Sequence, residues 1–216
     1  MGQARVHRGI AFFSLWLALC GFLGGAATPP APTPAASQAS ARAVIDKLTR
    51  EVLAILRDPK LDRPQKRQKV ADLAYEGLDF QTLSRLTLGQ YWRGLTTTQQ
   101  AGFVQEYKKH LATTYGHTTD EYTDEDIAIA SERQETNGDW TVLTRIIGTK
   151  DGTRQEIAKV EYRLRKQQDA WKIIDVTIDG VSLMANFRAQ FQEILANGGI
   201  DKLMKLLRDK NAAADQ

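Results

Sequence analysis

The chain has 216 residues, of which 42% are hydrophobic and 25% charged, and its 29 basic and 26 acidic residues give a net charge of +3. This size and apolar content suit a single folded domain with its own core. The near balance of charges argues against a nucleic-acid-binding protein. The one cysteine, Cys20, has no partner for a disulfide, so a folded domain must rely on its core for stability.

The first residues have the pattern of an export signal. Two arginines and a histidine precede an apolar run at residues 10–23, which ends in small residues at 24–27. The run is shorter than the about 20 apolar residues that span a bilayer. We therefore expect residues 1–27 to be a signal peptide that is removed together with Cys20. A lipoprotein signal at this cysteine is the alternative, which Leu19 disfavours because lipid attachment normally requires a small residue there.

Four helices are predicted after a spacer. Residues 28–40 are rich in proline and small residues, which predicts disorder. Apolar residues then recur at helical spacing over 41–57, the pattern of an amphipathic helix. Asp62 begins a second helix, which ends at about Glu76, and Asp79 caps a short third helix.

The fourth helix begins at a capping-box sequence, Thr96 to Gln99, and ends at about Tyr115. Its large apolar residues are spaced by four positions, so one face of the helix is largely aromatic. These residues are Phe103, Tyr107, Leu111 and Tyr115.

Four strand patterns follow, at about 126–133, 140–149, 154–165 and 171–178. Asn137-Gly138 and Asp151-Gly152 separate the first three strands and are tight-turn dipeptides, which predict antiparallel hairpins. The chain closes with helices at about 183–196 and 200–209, which glycines separate. Helices, a meander of strands and further helices indicate an α+β fold with a curved antiparallel four-stranded sheet.

A set of spaced motifs resembles the MlaC family, also called toluene-tolerance or ABC-transporter auxiliary proteins. The motifs are Leu78-Asp79-Phe80, Leu88-Gly89-Gln90-Tyr91-Trp92, Thr97 to Phe103, Tyr115, Trp171-Lys172, Asp175-Val176, Asp179-Gly180-Val181-Ser182-Leu183, Asn186, Arg188, Gln190-Phe191 and Gly199. The resemblance covers roughly residues 42–211, and the motifs occur in the family's order.

The resemblance implies an NTF2-like cone, in which helices wrap the curved sheet around a hydrophobic cavity. It also implies a periplasmic phospholipid carrier that shuttles lipid between an outer-membrane lipoprotein–porin complex and an inner-membrane MCE-domain ABC transporter, and so maintains outer-membrane lipid asymmetry. The lipid-binding domain would be residues 41–211, followed by a flexible tail at 212–216. Bound phospholipid would be cargo, with no cofactor, and a protein that docks and leaves is expected to be a monomer. A hopanoid is the alternative cargo.

The alternating strands and amphipathic helices supply candidates for the wall of such a cavity. On the strands they are Val142, Ile146, Val160, Tyr162, Leu164, Ile174 and Val176. On the helices they are Phe80, Leu83, Phe103, Tyr107, Leu111, Met184, Phe187 and Phe191. A solid core is the other interpretation of each residue, because apolar stripes of this spacing occur in every globular protein.

Polar residues near the last strand have structural and functional interpretations. Asp179-Gly180 followed by Ser182 is typical of a turn and a helix cap. Arg188 is expected either to pair with Asp175 or Asp179, or to contact a lipid phosphate at the cavity mouth. The basic residues at 63–69 form either a solvated helix face or a docking patch.

An enzyme is the competing class, because NTF2-like cones also host acid–base chemistry on hydrophobic substrates. The candidate pairs are Asp175 or Asp179 with Tyr107, Tyr115 or Tyr162. However, residues 180–184 lack the closing glycine of a nucleophile elbow. His110 and His117 have no acidic partner at metal-ligand spacing. We therefore expect neither catalysis nor a metal site.

A third class is an adaptor that binds membrane proteins without carrying cargo. Such a protein would need a filled interior and an exposed apolar patch.

Overall fold

The computed structural model describes residues 40–214. The predicted signal peptide and residues 28–39 of the predicted spacer lie outside the described residues. The helices are α1 (Ala41–Arg57), α2 (Arg63–Gly77), α3 (Phe80–Leu88), α4 (Thr97–Gly116) and α5 (Leu183–Ala214). The strands are β1 (Asp126–Gln134), β2 (Trp140–Lys150), β3 (Thr153–Gln167), β4 (Ala170–Ile178) and β5 (Val181–Ser182). Short 3-10 segments at Gly89–Gly94 and His117–Glu121 complete these elements. The predicted α+β class is confirmed.

Side-chain caps begin the helices at the predicted positions. The Asp62 carboxylate accepts a hydrogen bond from the Gln65 backbone N–H (2.8 Å), and the Gln65 side chain accepts one from the Asp62 N–H (3.1 Å). Thr96 and Gln99 form the same reciprocal pair at the start of α4. Asp79 caps α3 with a bond of 2.9 Å. Each cap satisfies a backbone donor that lacks a partner within the helix, which stabilises the helix by about 1 kcal/mol.

The sheet is antiparallel throughout, in the order β1-β2-β3-β4-β5. The sequence predicted four strands, and the structure adds β5, which pairs with the end of β4. Asp179 and Gly180 both have positive φ angles (47° and 85°), so they form the two-residue turn that joins neighbouring antiparallel strands. Asp151 and Gly152 do the same between β2 and β3.

Three register shifts interrupt the ladders of the sheet. They lie at Ile129/Ser131 in β1, at Ile146/Ile147 between β2 and β3, and at Arg163/Leu164 between β3 and β4. An extra residue in one strand bends that strand and increases its twist. The bulges therefore curve the sheet, and α1, α3 and α5 pack against its strands.

The buried apolar residues form two clusters. The helical cluster consists of Leu83, Leu88, Trp92, Phe103, Tyr107, Phe187, Phe191, Leu195, Ile200, Leu203, Met204 and Leu207. The sheet cluster consists of Ala41, Ile45, Val142, Leu164 and Ile173. Among the described residues, Leu78 is the one that packs against both clusters. The apolar interior is therefore divided between a wall of helices and a wall formed by α1 and the sheet.

The last helix is interrupted at Gly199, where the sequence predicted a helix stop. Its φ of 66° and ψ of −171° lie in a region that essentially only glycine adopts. The helix then continues to Ala214, beyond the predicted domain end at residue 211. Asn211 is buried and donates a hydrogen bond of 3.1 Å to the backbone oxygen of Glu106, which fastens this end of α5 to α4. No helix within residues 40–214 combines the length and hydropathy needed to cross a bilayer.

Candidate functional site

The apolar face of the sheet carries six of the seven predicted strand residues. Tyr162 pairs with Val142 on one side and with Val176 on the other. Residues that are directly paired across strands point to the same face, and alternate residues along a strand share a face. The other three on this face are Ile146, Val160 and Leu164. Together they form one continuous apolar surface.

Ile174 lies at a bulge, where the alternation predicted from the sequence breaks. Leu164 pairs with Ile173, whereas Arg163 pairs with Asp175, so Ile174 has no partner on β3. Ile174 is fully buried, and it belongs to neither cluster. Ile173 is the residue that packs into the sheet cluster. The sequence analysis missed Ile173 because it assumed an unbroken strand.

Exposure changes along the apolar face. Val142 and Leu164 are completely buried, and Val160 is 9% exposed. Ile146, which lies further toward the other end of the sheet, is partly exposed, and so is Val176, which shares a row with Val142 and Tyr162. The face is therefore sealed near Leu164 and accessible near Ile146.

The Tyr162 hydroxyl is buried, although the residue keeps some solvent-accessible surface. Burial raises the pKa of the Tyr162 hydroxyl, and a hydrogen bond with Thr144 opposes this rise. The side chain nevertheless retains accessible surface and is only partly buried by area.

The predicted helix residues divide by exposure. Leu83, Phe103, Tyr107, Phe187 and Phe191 are buried within the helical cluster. The Phe103 and Tyr107 ring centroids are 5.4 Å apart, and Phe191 is 6.1 Å from Phe103 and 5.8 Å from Tyr107. The predicted aromatic face of α4 is confirmed by these contacts.

The other predicted helix residues lie at the margin of this cluster. Phe80 and Leu111 are partly exposed and pack against the helical cluster. Met184 is partly exposed in the first turn of α5. These three side chains retain surface that another group can contact.

Two surface depressions lie elsewhere and are polar. One of about 280 Å³ is lined by Arg133, Glu135, Thr136, Asn137, Thr141, Glu161, Arg163, Asp175 and Thr177. The other, of about 400 Å³, is lined by Leu56, Arg57, Arg63, Lys66, Thr119, Asp120, Tyr122 and Thr123. The predicted apolar residues line neither depression.

Asp175 joins β4 to the start of α5. Its Oδ1 accepts hydrogen bonds from the backbone N–H groups of Val176 (2.9 Å) and Met184 (3.2 Å). Its Oδ2 accepts one from the Ser182 hydroxyl (2.7 Å), and the Arg163 guanidinium lies 3.7 Å away. The Ser182 oxygen in turn caps the helix by accepting an N–H at 3.0 Å. The turn-and-cap interpretation of residues 179–182 is confirmed.

Arg188 contacts a backbone carbonyl. Its Nε donates a hydrogen bond of 2.9 Å to the oxygen of Leu86, and its Nη2 donates to the same oxygen. This carbonyl lies in the last turn of α3, where carbonyl groups lack helical partners and a cation is favourable. Within residues 40–214, Arg188 forms no ion pair with Asp175 or Asp179. The predicted internal ion pair is therefore wrong, and the lipid contact stays a prediction.

Two of the residues named as acid–base candidates, Asp179 and Tyr107, take part in hydrogen bonds within the fold. Asp179 Oδ1 accepts a hydrogen bond from the Lys159 backbone N–H (2.8 Å). Tyr107 accepts one from the Thr87 hydroxyl (3.2 Å), and burial raises the pKa of the Tyr107 phenol. Across the described part of the chain, no group of three His, Cys, Asp or Glu side chains is arranged to hold a metal ion.

Known proteins resemble this chain in sequence and in structure. The family model described as "MlaC protein" matches residues 46–209. Toluene tolerance protein ttg2D of Pseudomonas putida is 24% identical over 112 residues, which are 52% of this chain and 50% of that protein. The chain thus spans about half the length of this curated relative.

A solved structure covers more of the chain. It is described as the phospholipid-binding protein from Ralstonia solanacearum in complex with a phospholipid. It is 26% identical, with a TM-score of 0.70, and the match covers 82% of this chain and all of the other. The family match at 46–209 spans most of the present sequence. The protein belongs to the MlaC family.

Proposed function

We propose that this protein is a periplasmic phospholipid carrier. It shuttles lipid between an outer-membrane lipoprotein–porin complex and an inner-membrane MCE-domain ABC transporter, and thereby maintains outer-membrane lipid asymmetry. The observation that carries the proposal is the division of the apolar interior into two clusters, with Leu78 the described residue that packs against both. Acyl chains would lie between these two walls.

The side chains beside this division support the same proposal. A solid core would bury the facing residues of both walls, because protein interiors pack without large voids. Among the residues proposed for the walls, Phe103, Tyr107, Val142 and Leu164 are buried. Tyr162, Val176, Leu111 and Met184 retain accessible surface. The structural relative from Ralstonia solanacearum was solved in complex with a phospholipid. We propose that the predicted strand and helix residues named above form the walls of the lipid site, and that Ile173 belongs with them.

The physics of lipid transfer requires such a site. Each methylene moved out of water gains about 0.8 kcal/mol, so exposing two acyl chains of roughly thirty methylenes costs on the order of 20 kcal/mol. Free diffusion between membranes is therefore negligible. An apolar protein interior replaces the bilayer almost evenly, so that loading is close to neutral while escape into water stays forbidden. The direction of transport must then come from the partner complexes.

No chemistry is assigned to the site. Asp175, Asp179 and Tyr107 are all engaged in hydrogen bonds that organise the fold. The bound phospholipid is cargo, and no cofactor is needed. A carrier that docks at one complex and leaves for another is proposed to act as a monomer.

Mass spectrometry of an organic extract tests the proposal. The protein is purified from a periplasmic extract, and the lipid content per chain is measured. Phospholipid at about one molecule per chain is the expected result. A hopanoid in place of phospholipid would show that the cargo is a hopanoid. A folded protein without any lipid would favour the adaptor class and contradict the proposal that the protein carries lipid.

A pair of neighbouring substitutions tests the location of the site. Val176 lies on the apolar face and Thr177 on the polar face of β4, where it lines the depression of about 280 Å³. Val176→Asp should reduce the bound lipid severalfold, because a carboxylate beside acyl chains must be desolvated. Thr177→Asp, the matched control, should retain lipid. Equal lipid content in the two variants, with both folded, would place the site elsewhere.

A further inference from the structure

The helix α2 differs from the other helices of the described chain. None of its 15 residues is buried, whereas α1, α3, α4 and α5 all contribute buried residues. It nevertheless carries apolar side chains, including Val70 and Leu73, which are partly exposed. A helix of this length normally buries an apolar stripe against its neighbours. The inner side of α2 is therefore incompletely covered.

The partly exposed residues of α2 define its inner face. They recur at positions 66, 67, 70, 71, 73, 74, 75 and 77, which is helical spacing, while positions 63, 64, 65, 68, 69, 72 and 76 are exposed. Within the described residues, neither Val70 nor Leu73 is among the apolar side chains packed against the helical or the sheet cluster. Near the carboxyl end of α2, Gly77 approaches Ile173, and the Tyr75 ring contacts the Phe80 ring at 5.9 Å. Val70 and Leu73 thus face the interior without joining either apolar cluster.

The contacts that hold the outer part of α2 are polar and partly exposed. Lys66 Nζ donates a hydrogen bond of 2.6 Å to the Leu56 carbonyl oxygen, and Arg67 Nη1 lies 2.6 Å from an oxygen of Asp120. Near the carboxyl end, Lys108 Nζ lies 3.9 Å from the centroid of the Tyr75 ring, which also meets the Phe80 ring edge-on at 5.9 Å. Ion pairs of this exposure contribute little stability. An element with few buried apolar contacts is among the first to open locally.

The other end of α2 has a firm anchor. Leu78 follows the helix directly and packs against both clusters. The Asp79 backbone N–H donates a hydrogen bond of 2.9 Å to the Ile173 oxygen of β4. Buried packing therefore secures the carboxyl end of α2, whereas its amino-terminal end is held by polar contacts.

The elements next to α2 also present incompletely buried apolar residues. It packs against α1 and α4. On α1, Leu48, Val52 and Ile55 are partly exposed, and on α4, Leu111 and Tyr115 are partly exposed. Partly exposed apolar residues therefore lie on both helices that pack against α2.

A polar depression at the amino-terminal end of α2 favours a phospholipid as the occupant. The depression of about 400 Å³ includes Arg57, Arg63 and Lys66 in its lining. Asp120 also lines it, and Arg67 pairs with that carboxylate. The Lys66 ammonium uses one of its three hydrogens on the Leu56 oxygen, which leaves donors for a phosphate. Arg57 is engaged by Asp126 and the Tyr122 hydroxyl, so Arg63 and Lys66 supply the donors that a phospholipid phosphate would accept.

We propose that α2 is the movable wall of the lipid site. The acyl chains enter beneath it, Val70 and Leu73 contact them in the loaded protein, and the phosphate stays at the basic end of the helix. This inference rests on the proposed lipid carriage. It adds the route by which the lipid enters and two residues, Val70 and Leu73, that contact its acyl chains.

Thiol labelling tests the inference. Leu73→Cys is introduced, and the protein is purified from the periplasm, where removal of the signal peptide with Cys20 leaves the new thiol as the sole one. Lys69→Cys on the exposed face is the matched control. Each protein is stripped of lipid or loaded from phosphatidylethanolamine–phosphatidylglycerol vesicles and then treated with a maleimide. Loading should slow the reaction of Leu73→Cys roughly tenfold or more and leave Lys69→Cys within about twofold, because only the inner face becomes covered.

A second variant measures occupancy directly. Leu73→Trp fills space beneath the helix and should lower the lipid per chain severalfold, while Lys69→Trp should not. Equal labelling rates with and without lipid for Leu73→Cys, in a protein whose unsubstituted form carries lipid, would overturn the inference alone. Absence of lipid from the unsubstituted protein would instead overturn the proposed function, and the two failures are thus distinguishable.

Discussion

The hydrogen bonds of Asp175 allow a quantitative test of what this carboxylate does. Replacing Asp175 by alanine removes the acceptor for the Met184 N–H (3.2 Å), the Ser182 hydroxyl (2.7 Å) and the Val176 N–H (2.9 Å). The aspartate side chain is only 8% exposed, so water cannot fully replace it. The change therefore leaves donors unsatisfied at the start of α5.

The size of the effect follows from these contacts. A buried donor left without a partner costs about 1–3 kcal/mol, and the Val176 bond is short-range and contributes least. The Met184 N–H and the Ser182 hydroxyl both lose their acceptor, which together destabilises the protein by about 3 kcal/mol. This is a large part of the 5–15 kcal/mol that stabilises a typical domain. With a urea slope of about 2 kcal/mol/M, the unfolding midpoint should fall by about 1.5 M.

Urea unfolding followed by circular dichroism measures this midpoint. Asp175→Asn keeps one oxygen acceptor and should lose about 1 kcal/mol. Asp201→Ala, at an exposed position on the same helix, should change the free energy of unfolding by less than about 0.5 kcal/mol. If Asp175→Ala unfolds at the same urea concentration as the unsubstituted protein, the carboxylate does not secure α5, and the structural assignment of Asp175 is refuted.

Two further predictions concern acid sensitivity and the helix break. Arg165 donates two hydrogen bonds of 2.7 Å to Asp139 and holds the pKa of that carboxyl below its usual range. The stability from this pair is present above the unfolded pKa of about 4 and is lost as the pH falls through the lower folded value. Between pH 5 and pH 3, the urea midpoint should therefore fall less in Asp139→Asn than in the unsubstituted protein. Equal falls in the two proteins would contradict a stabilising role for the Arg165–Asp139 pair. Gly199→Ala should lower the free energy of unfolding by about 1–3 kcal/mol, because alanine rarely adopts its conformation. Thermal unfolding checks this against Gly94→Ala, whose Cβ would meet nothing within 4 Å; matching melting temperatures would contradict it.

Local patterns in the sequence were sufficient for most elements. The capping residues Asp62, Asp79 and Thr96 placed three helix starts correctly, because a cap is a contact between residues three apart. The dipeptide Asp151-Gly152 placed a hairpin, because both residues must have positive φ in its turn. The spacing of aromatic residues along α4 predicted an apolar face. Such signals are complete within a few residues, and no distant part of the chain is needed to interpret them.

The register of β4 and the partner of Arg188 depended on tertiary structure. Alternation assumes a regular ladder, and the bulge between β3 and β4 brought Ile173 instead of Ile174 into the sheet cluster. The long Arg188 side chain reached the Leu86 oxygen, 102 positions away in sequence, and not an aspartate of its own motif. Neither outcome follows from residues close in sequence, since each is set by an element that packs from elsewhere.

The sequence by itself determined which faces of the helices and strands are apolar, and hence the α+β class and the resemblance to one family. Tertiary structure alone decided what lies opposite each face. The interior was divided into two clusters, and the inner face of α2 was left without a buried residue. The physical reason is that hydrophobic periodicity shows only which side chains must be removed from water. Contact with another protein side chain or with an acyl chain removes them equally well. Only the distances between packed elements distinguish a filled interior from one that accepts a lipid.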